Sequence, residues 1–404
     1  MAPPEVYDPN SPAEQPVALP SAPPAFLSGT ITLQPPLTRR GTGPGLIMFL
    51  PPEGRLNSTS NLERMSLDPR PLQKWAEEGF CVAGIISNGQ EKLEDDFETA
   101  TNSLLQLKEL DTADKFAVVV YDLEVLPQVL SAIKSDNRIV SLVIYGHQQP
   151  SQVVSTIPTI IFVPSTTENL TATTPDITIF KVDAQHPSFA LPQSVVFHSS
   201  AASIAHSKAS VHIKKYLGGP FFDLEAIWEE HTYFEFEVRS VALTMGTMVA
   251  EPYVNHVPTL AGGIGRKQLS AFYRDHFIFN NPKDTRLQSI SRTVGSDRVV
   301  DEFIFHCTHD KQIDWLLPGV PPTGRKLAIP MLGVINIRGD RLYHEHIWWD
   351  QGTACMQAGI LPSHVEFDGK RLRLPIAGVE SAKLLEDESA VAPNEMLGPS
   401  YGFE

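Results

Sequence analysis

Cysteine is scarce in this sequence. Cys81, Cys307 and Cys355 stand singly along 404 positions. Three scattered thiols build neither a disulfide framework nor a cysteine-rich zinc site, so a reduced, intracellular chain is expected. Positive charge is short as well: 32 Lys and Arg against 47 Asp and Glu leave a formal net charge of −15. Nucleic-acid binders neutralise phosphates with basic surface, so this deficit argues against nucleic acid as a partner, and against an anionic membrane surface. No apolar run approaches the roughly 20 residues of a membrane span. The opening MAPPEVYDPNSPAEQPVALPSAPP has neither the basic n-region nor the apolar h-region of a signal peptide. A cytoplasmic location is therefore expected, and the sequons at Asn57 and Asn169 are expected to be chance matches.

What is present is ordinary globular material, 42% hydrophobic and 20% charged, long enough for two domains. Residues 1–24 are rich in Pro, Ala and Ser and read as a disordered tail. Residues 380–404 are acidic and aperiodic, a second expected tail. Between them, residues 25–218 alternate short apolar runs such as GLIMFLPP, FCVAGIIS, KFAVVVYD and IVSLVIYG with helical patterns. Near-continuous β-branched runs fit a parallel sheet covered on both faces, so this block predicts an α/β doubly wound sheet. GTGPG at 41–45 precedes a strand rather than following one, which makes it a turn and not a phosphate loop.

The second block, 219–365, begins with apolar residues at 224, 227, 228, 234, 238, 241 and 245, a helical spacing. A second helical pattern covers 265–277, and several strand-like runs follow. Helices followed by an antiparallel meander predict an α+β cone, a curled sheet around helices, which encloses a pocket.

In the first block, VVVYDLEVLP, AQHPSFALP and AASIAHSKASVHIKKYLG together resemble the dienelactone hydrolase family of α/β-hydrolases. That family carries a cysteine nucleophile between small residues on a tight strand-to-helix turn. Here Asp122 stands at that place, flanked by Val120 and Glu124, which do not suit a sharp elbow. His186 matches the family's histidine, and Glu168 is the one carboxylate near its acid. The resemblance implies a hydrolase-like scaffold that has lost its triad. The alternative is lactone or enol-lactone hydrolysis through Asp122 and His186.

In the second block, PGVPPTGR (318–325), the strand ending in WDQ, and Gln357-x-Gly359 look like a SnoaL-like domain of the nuclear-transport-factor-2-like superfamily. The match runs from about 222 to 362, and two-domain chains of this pairing are familiar from fungi. The resemblance implies chemistry without a cofactor: ring closure by intramolecular aldol reaction, isomerisation or dehydration of small apolar molecules. It also implies a homodimer formed through the sheet.

RLYHEHIWWDQ (341–351) concentrates the candidate chemistry. Strand alternation puts His344, His346, Trp348 and Asp350 on one face and Glu345, Ile347 and Trp349 on the other. The first face is expected to line the cone. Asp350 matches the family's acid/base aspartate, since a carboxylate enclosed in an apolar cone is equipped to trade protons near neutral pH. Its bland alternative is a strand-end carboxylate capping the next turn. His256 sits where the family places a pocket histidine, at the end of its first helical segment. Glu302 and His306 share a strand face and form a second polar candidate pair, and Tyr273 is a candidate donor to an enolate oxygen. His344-x-His346 with a carboxylate would suit a metal triad, but Trp348 would crowd it, so neither metal nor cofactor is expected. The functional expectation is cyclisation or isomerisation of a hydrophobic polyketide- or terpenoid-like molecule, with pericyclic ring closure as a subcase. A non-catalytic ligand-binding or dimerisation module is the third alternative.

Overall fold

A computed structural model describes residues 4–56, 66–87, 93–146, 157–168 and 174–403. The chain divides into two units, one of residues 20–222 with 338–340, the other of 1–19, 223–337 and 341–404. The sequons Asn57 and Asn169 lie outside the described residues. Among the described residues no helix is long and apolar enough to cross a membrane.

The first unit holds an eight-stranded sheet: β1 (Ala25–Phe26), β2 (Ile31–Gln34), β3 (Gly45–Leu50), β4 (Cys81–Ile86), β5 (Phe116–Val120), β6 (Ile139–Tyr145), β7 (Thr159–Pro164) and β8 (Ile177–Val182). Its order is β1-β2-β4-β3-β5-β6-β7-β8. β1, β2 and β4 pair antiparallel, whereas β4, β3 and β5 to β8 run parallel. The apolar runs are continuous because both faces are covered. Ile47, Phe49, Val118 and Val120 face α2 (Leu93–Leu105) and α3 (Leu126–Lys134) through Phe97, Leu104, Val129 and Ile133. Leu46, Met48, Val119 and Val143 face the other way, against Trp75 of α1 (Pro71–Glu77) and Ala205, Ala209 and Ile213 of α4 (Ser199–Leu217). Neighbouring residues thus serve two cores. GTGPG is a tight passage beside this sheet: a Cβ at Gly43 would lie 1.8 Å from the Gly79 carbonyl oxygen.

Asp122 follows β5 and is buried, but both of its oxygens are engaged. Arg55 approaches one through Nη1 at 3.1 Å and the other through Nη2 at 2.9 Å. The Ser87 hydroxyl donates to the carboxylate, and the Glu124 amide donates to it at 3.1 Å, which starts the following helical turn. A nucleophile needs a free oxygen aimed at substrate, and this carboxylate is tied into its own turn. His186 caps a short helical turn, its Nδ1 accepting from the Ser188 amide at 3.1 Å. Glu168 is exposed. Removing the carboxylate by Asp122→Ala should cost about 1–3 kcal/mol, because the buried Ser87 hydroxyl and the Glu124 amide lose their acceptor while Arg55 keeps Glu124 and the Ser87 carbonyl. Urea unfolding of the variant measures this, and an unchanged midpoint would mean that the carboxylate does not hold the turn.

The second unit is built on a six-stranded sheet, β9 (Met248–His256), β10 (Ala261–Ile264), β11 (Arg286–Val294), β12 (Arg298–Thr308), β13 (Lys326–Arg338) and β14 (Arg341–Trp349), in the order β10-β9-β14-β13-β12-β11. β9 and β14 pair parallel, and β10/β9, β11/β12 and β12/β13 pair antiparallel. The long helix expected from residue 224 onward is broken. α5 (Leu224–Thr232) runs into a π-helical turn (Tyr233–Val238), Arg239 adopts φ 54°, and Ser240 caps α6 (Val241–Gly246). α7 (Gly265–Phe272) likewise continues into a π-helical turn, Tyr273–Phe277. β14 is followed by α8 (Gln351–Ala358).

Both expected tails depart from expectation. In the N-terminal segment the Glu14 carboxylate accepts from the Val241 and Ala242 amides at 2.9 and 3.0 Å, and the Ser240 hydroxyl donates to the Ala13 carbonyl. Val17 packs so close to Gly246 that a Cβ there would sit 2.8 Å away. Prolines restrict the free chain, so few anchors are needed to hold such a segment. At the other end, α9 (Glu380–Glu386) forms, and Gly402–Phe403 pairs with Lys370–Arg373. There the Arg373 guanidinium lies over the Tyr401 ring at 3.9 Å.

The motifs of this unit are structural in the first instance. Gly319 and Gly324 of PGVPPTGR adopt φ of 72° and 68°, and Gly359 ends α8 in the left-handed region. Gln357 clamps β13 from the side, its amide accepting from the Ala328 N–H at 2.7 Å and donating to the Ala328 carbonyl at 2.8 Å.

Candidate functional site

α5 buries Leu224, Ile227, Trp228 and His231, a stripe three and four residues apart. An imidazole therefore stands where the pattern calls for an apolar side chain. One turn on, the π-helical widening presents both Glu235 and Phe236 to a common cavity. Such widened turns are rare and frequent at functional sites. The second one begins with Tyr273, which lines the same space, as do Glu345 and Ile347 from β14 and His256 from the end of β9.

Trp228, Phe277, Phe303, Phe305, Trp315 and Met331 supply much of the cavity wall. Its tryptophans are pinned. Trp228 donates to Asp301 at 2.8 Å, with Arg292 gripping the same carboxylate, and Trp315 donates to Asn281 at 3.0 Å.

At the polar end, His231 is fully buried, with Glu235, Glu345 and Tyr273 each no more than 3% exposed. The Thr247 hydroxyl donates to the Thr244 carbonyl at 2.7 Å, so it accepts from His231 Nδ1 at 2.6 Å, which places a hydrogen on that nitrogen. Nε2 then faces Glu235 Oε1 at 3.1 Å, Glu345 Oε1 at 3.0 Å and the Tyr273 hydroxyl at 3.3 Å. Tyr273 donates to Glu345 at 3.3 Å.

Burial alone would lower the His231 pKa, but the Glu235 and Glu345 carboxylates override it and raise it to about 10. Burial, reinforced by the Glu345 carboxylate, pushes Glu235 up against the opposing pull of His231. Two carboxylates converging on one imidazole cannot both be ionised cheaply, so this end of the cavity stores a proton near neutral pH. Burial also drives the Tyr273 phenol well above its ordinary value. His256 is the opposite case. Burial among Phe272, Phe277, Trp315 and Trp349 lowers it to about 4, and its Nδ1 lies 3.2 Å from the Ala261 carbonyl. It is a neutral imidazole beside the charged cluster. His231, Glu235 and Glu345 are also the group, among the described residues, whose ligand atoms lie within 4.8 Å of one another and could hold a metal ion.

The structure corrects the face expected of β14. Glu345, Ile347 and Trp349 are buried, whereas Trp348 is 48% exposed. The inward face is the one with more apolar residues, because an apolar strand face is driven against the core. His344 and His346 stack on each other on the outer face with ring centroids 4.6 Å apart, next to Tyr253. Asp350 is exposed and caps α8, accepting from the Thr353 amide at 2.6 Å, which is the bland alternative. On β12, Glu302 accepts from Ser291 at 2.7 Å and His306 contacts Gln288 at 3.0 Å, while Phe303 and Phe305 point into the cavity. Neither Asp350, His344, His346, Trp348, Glu302 nor His306 lines the cavity, whereas His256 and Tyr273 do. His256 ends a strand rather than a helical segment. His231, Glu235 and Glu345 all lie outside the residues the sequence pattern points to, although position 231 fills the gap in the apolar series 224, 227, 228, 234, 238. A polar residue inside an otherwise apolar stripe was the available signal.

No family model matches the chain, and no curated protein matches it. Solved structures similar to it include a protein with a ketosteroid isomerase-like fold from Catenulispora acidiphila DSM 44928, at 14% identity and TM-score 0.27, covering 33% of this chain and 93% of that one. A candidate SnoaL-like polyketide cyclase from Jannaschia sp. CCS1 is similar at 17% identity and TM-score 0.29, covering 36% of this chain and 100% of that one. An NTF2-like protein of unknown function from Burkholderia pseudomallei K96243 is similar at 15% identity and TM-score 0.26, covering 33% and 95%.

The buried charges predict a two-sided pH dependence of stability in chelator-containing buffer, where the cluster holds protons alone. His231, raised from 6.5 to about 10, contributes stability that is complete below pH 6.5 and lost as pH rises toward 10. The raised Glu235 adds loss in the same direction. His256, lowered from 6.5 to about 4, contributes stability above pH 6.5 that is lost as pH falls through 4. Tryptophan fluorescence weights this unit, since Trp228, Trp315, Trp348 and Trp349 lie in it and Trp75 alone lies in the other, where Trp75→Phe removes its signal. The unfolding midpoint should fall from pH 6.5 to 10 in the wild type and be flatter in His231→Gln. A wild-type midpoint constant over that range would contradict the assignment.

Proposed function

We propose that the second unit is a cofactor-independent acid/base enzyme that cyclises or isomerises a hydrophobic, polyketide- or terpenoid-like molecule by proton transfer. One observation carries this reading: two buried carboxylates, a buried imidazole and a phenol meet at one end of a cavity walled by aromatic rings. The walls select a flat or compact apolar molecule and exclude water, which strengthens every electrostatic contact inside. Further carboxylates on a substrate would be repelled by Glu235 and Glu345.

The chemistry follows from the proton inventory. One glutamate, as carboxylate, removes a proton from carbon next to a carbonyl, and the electron pair moves into the new C=C bond. The carbonyl oxygen takes up negative charge and receives the proton stored by the other glutamate and His231, giving an enol. Returning a proton to a different carbon isomerises the molecule, and attack of the enol carbon on a second carbonyl closes a ring. Tyr273 and Thr247 hold Glu345 and His231 in place through these steps, and neutral His256 offers a further polar contact in the wall. General acid/base groups of this kind contribute about 10²–10⁴-fold.

For the first unit, the reading is a hydrolase-like scaffold without a working triad, supported by the engagement of both Asp122 oxygens with Arg55, Ser87 and the Glu124 amide. The test is solvent-deuterium incorporation into a panel of enolisable aromatic ketones, followed by NMR. Glu345→Gln and Glu235→Gln should each slow exchange at least about 100-fold. Asp350→Asn and His186→Ala should stay within about threefold of wild type. Loss of exchange in Asp350→Asn, with Glu345→Gln unchanged, would transfer the chemistry to the outer face and end this proposal.

A further inference from the structure

We propose that His231 Nε2, Glu235 Oε1 and Glu345 Oε1 form a binding site for one divalent transition-metal ion, of the Zn²⁺ or Co²⁺ class, open toward the aromatic cavity. The ion would occupy the cluster that holds the proton in the proton-transfer reading, so the two describe alternative states of one site and neither depends on the other.

Thr247 is committed as a donor to Thr244, so His231 Nδ1 carries hydrogen, and Nε2 turns toward two carboxylate oxygens. A neutral imidazole would aim its lone pair at other lone pairs. A hydrogen on Nε2 or on one carboxylate, or a bound cation, must therefore lie between the three atoms. A proton on Nε2 points along one direction and serves one oxygen well, whereas a metal ion satisfies all three atoms together.

The distances agree. Nε2 lies 3.1 Å from Glu235 Oε1 and 3.0 Å from Glu345 Oε1. Ligands bound at about 2.1 Å are about 3.0 Å apart at right angles and about 3.4 Å apart at the tetrahedral angle, so a six-coordinate ion fits as it stands and a four-coordinate one after the ligands open by a few tenths of an ångström. Charge agrees as well, because two carboxylates and a neutral imidazole neutralise a divalent ion. Metal-bound imidazoles generally donate their other N–H to an oxygen of the outer shell, and the Thr247 hydroxyl occupies that position at 2.6 Å. One nitrogen and two oxygens without a thiolate suit Zn²⁺ or Co²⁺ rather than Cu⁺, and they are too few for Ca²⁺, which takes about 6–8 oxygens. Three protein ligands leave coordination positions free, as catalytic sites require. Glu235 and Glu345 both border the cavity, so those positions face the space a substrate would fill. When the ion binds, it displaces the proton shared by the cluster, and that proton leaves to solvent.

The experiment uses the full chain, freed of metal by a chelator and titrated with ZnCl₂ and CoCl₂ at pH 7. Calorimetry in two buffers of different ionisation enthalpy should show one ion bound per chain and about one proton released. X-ray absorption on the Co²⁺-loaded wild type should show only nitrogen and oxygen ligands near 2.1 Å. Glu345→Gln and Glu235→Gln, checked for folding by circular dichroism, should weaken binding at least about 100-fold. Thr247→Val, which removes only the outer-shell oxygen, should weaken it about 10–100-fold. His344→Ala/His346→Ala should bind as the wild type does. Binding that disappears in His344→Ala/His346→Ala but survives in Glu345→Gln overturns the proposal, as does the absence of binding in the wild type. The two readings fail separately. Ketone exchange by metal-free protein that binds no ion removes the metal site alone, and ion binding without exchange in any form removes the proton-transfer reading alone.

Discussion

A buried imidazole held between two buried carboxylates is the constraint on which the second unit turns. Any one of these groups alone would be costly inside an aromatic core. Together they are tolerable when a proton or a cation sits among them, and they stand 3.0–3.1 Å from the imidazole nitrogen. The backbone is shaped accordingly. α5 breaks into a π-helical turn that carries Glu235, α7 does the same at Tyr273, and β14 turns its Glu345 face inward. Thr247 and Thr244 then set which nitrogen of His231 is free to face the carboxylates.

The remainder of the cavity is built for contrast. Aromatic rings held by Asp301, Arg292 and Asn281 make much of its wall apolar, so a charge at its end is felt strongly by whatever enters. Neutral His256 adds polarity without adding charge. The first unit shows the opposite use of a buried carboxylate. Asp122 is fully engaged by Arg55, Ser87 and a backbone amide, and it stabilises a turn where a nucleophile would need a free oxygen.

Much of the architecture was legible in the sequence, because apolar periodicity reports burial directly. The continuous runs of β3 to β7 match a parallel sheet covered on both faces, and the strand-like runs after residue 286 match antiparallel β11 to β13. The site was less legible, for a reason visible in β14. Alternation divides RLYHEHIWWDQ into two faces but does not say which one faces inward, and polar richness drew attention to His344, His346 and Asp350. The apolar company of Glu345 was the better guide. His231 was hidden by the opposite habit, since an amphipathic stripe is read from its apolar members and the imidazole in its gap is passed over. The terminal segments were misjudged on composition, which does not reveal a single capping carboxylate such as Glu14 or a ring contact such as Arg373 on Tyr401.

The central claim, a positive charge held on His231 by Glu235 and Glu345, is open to direct observation by ¹⁵N NMR of the imidazole nitrogens in chelator-treated protein. The account predicts that both ring nitrogens of His231 are protonated throughout pH 6–8 and that Nε2 gives up its proton only near pH 10. An unprotonated Nε2 at pH 7 would contradict it.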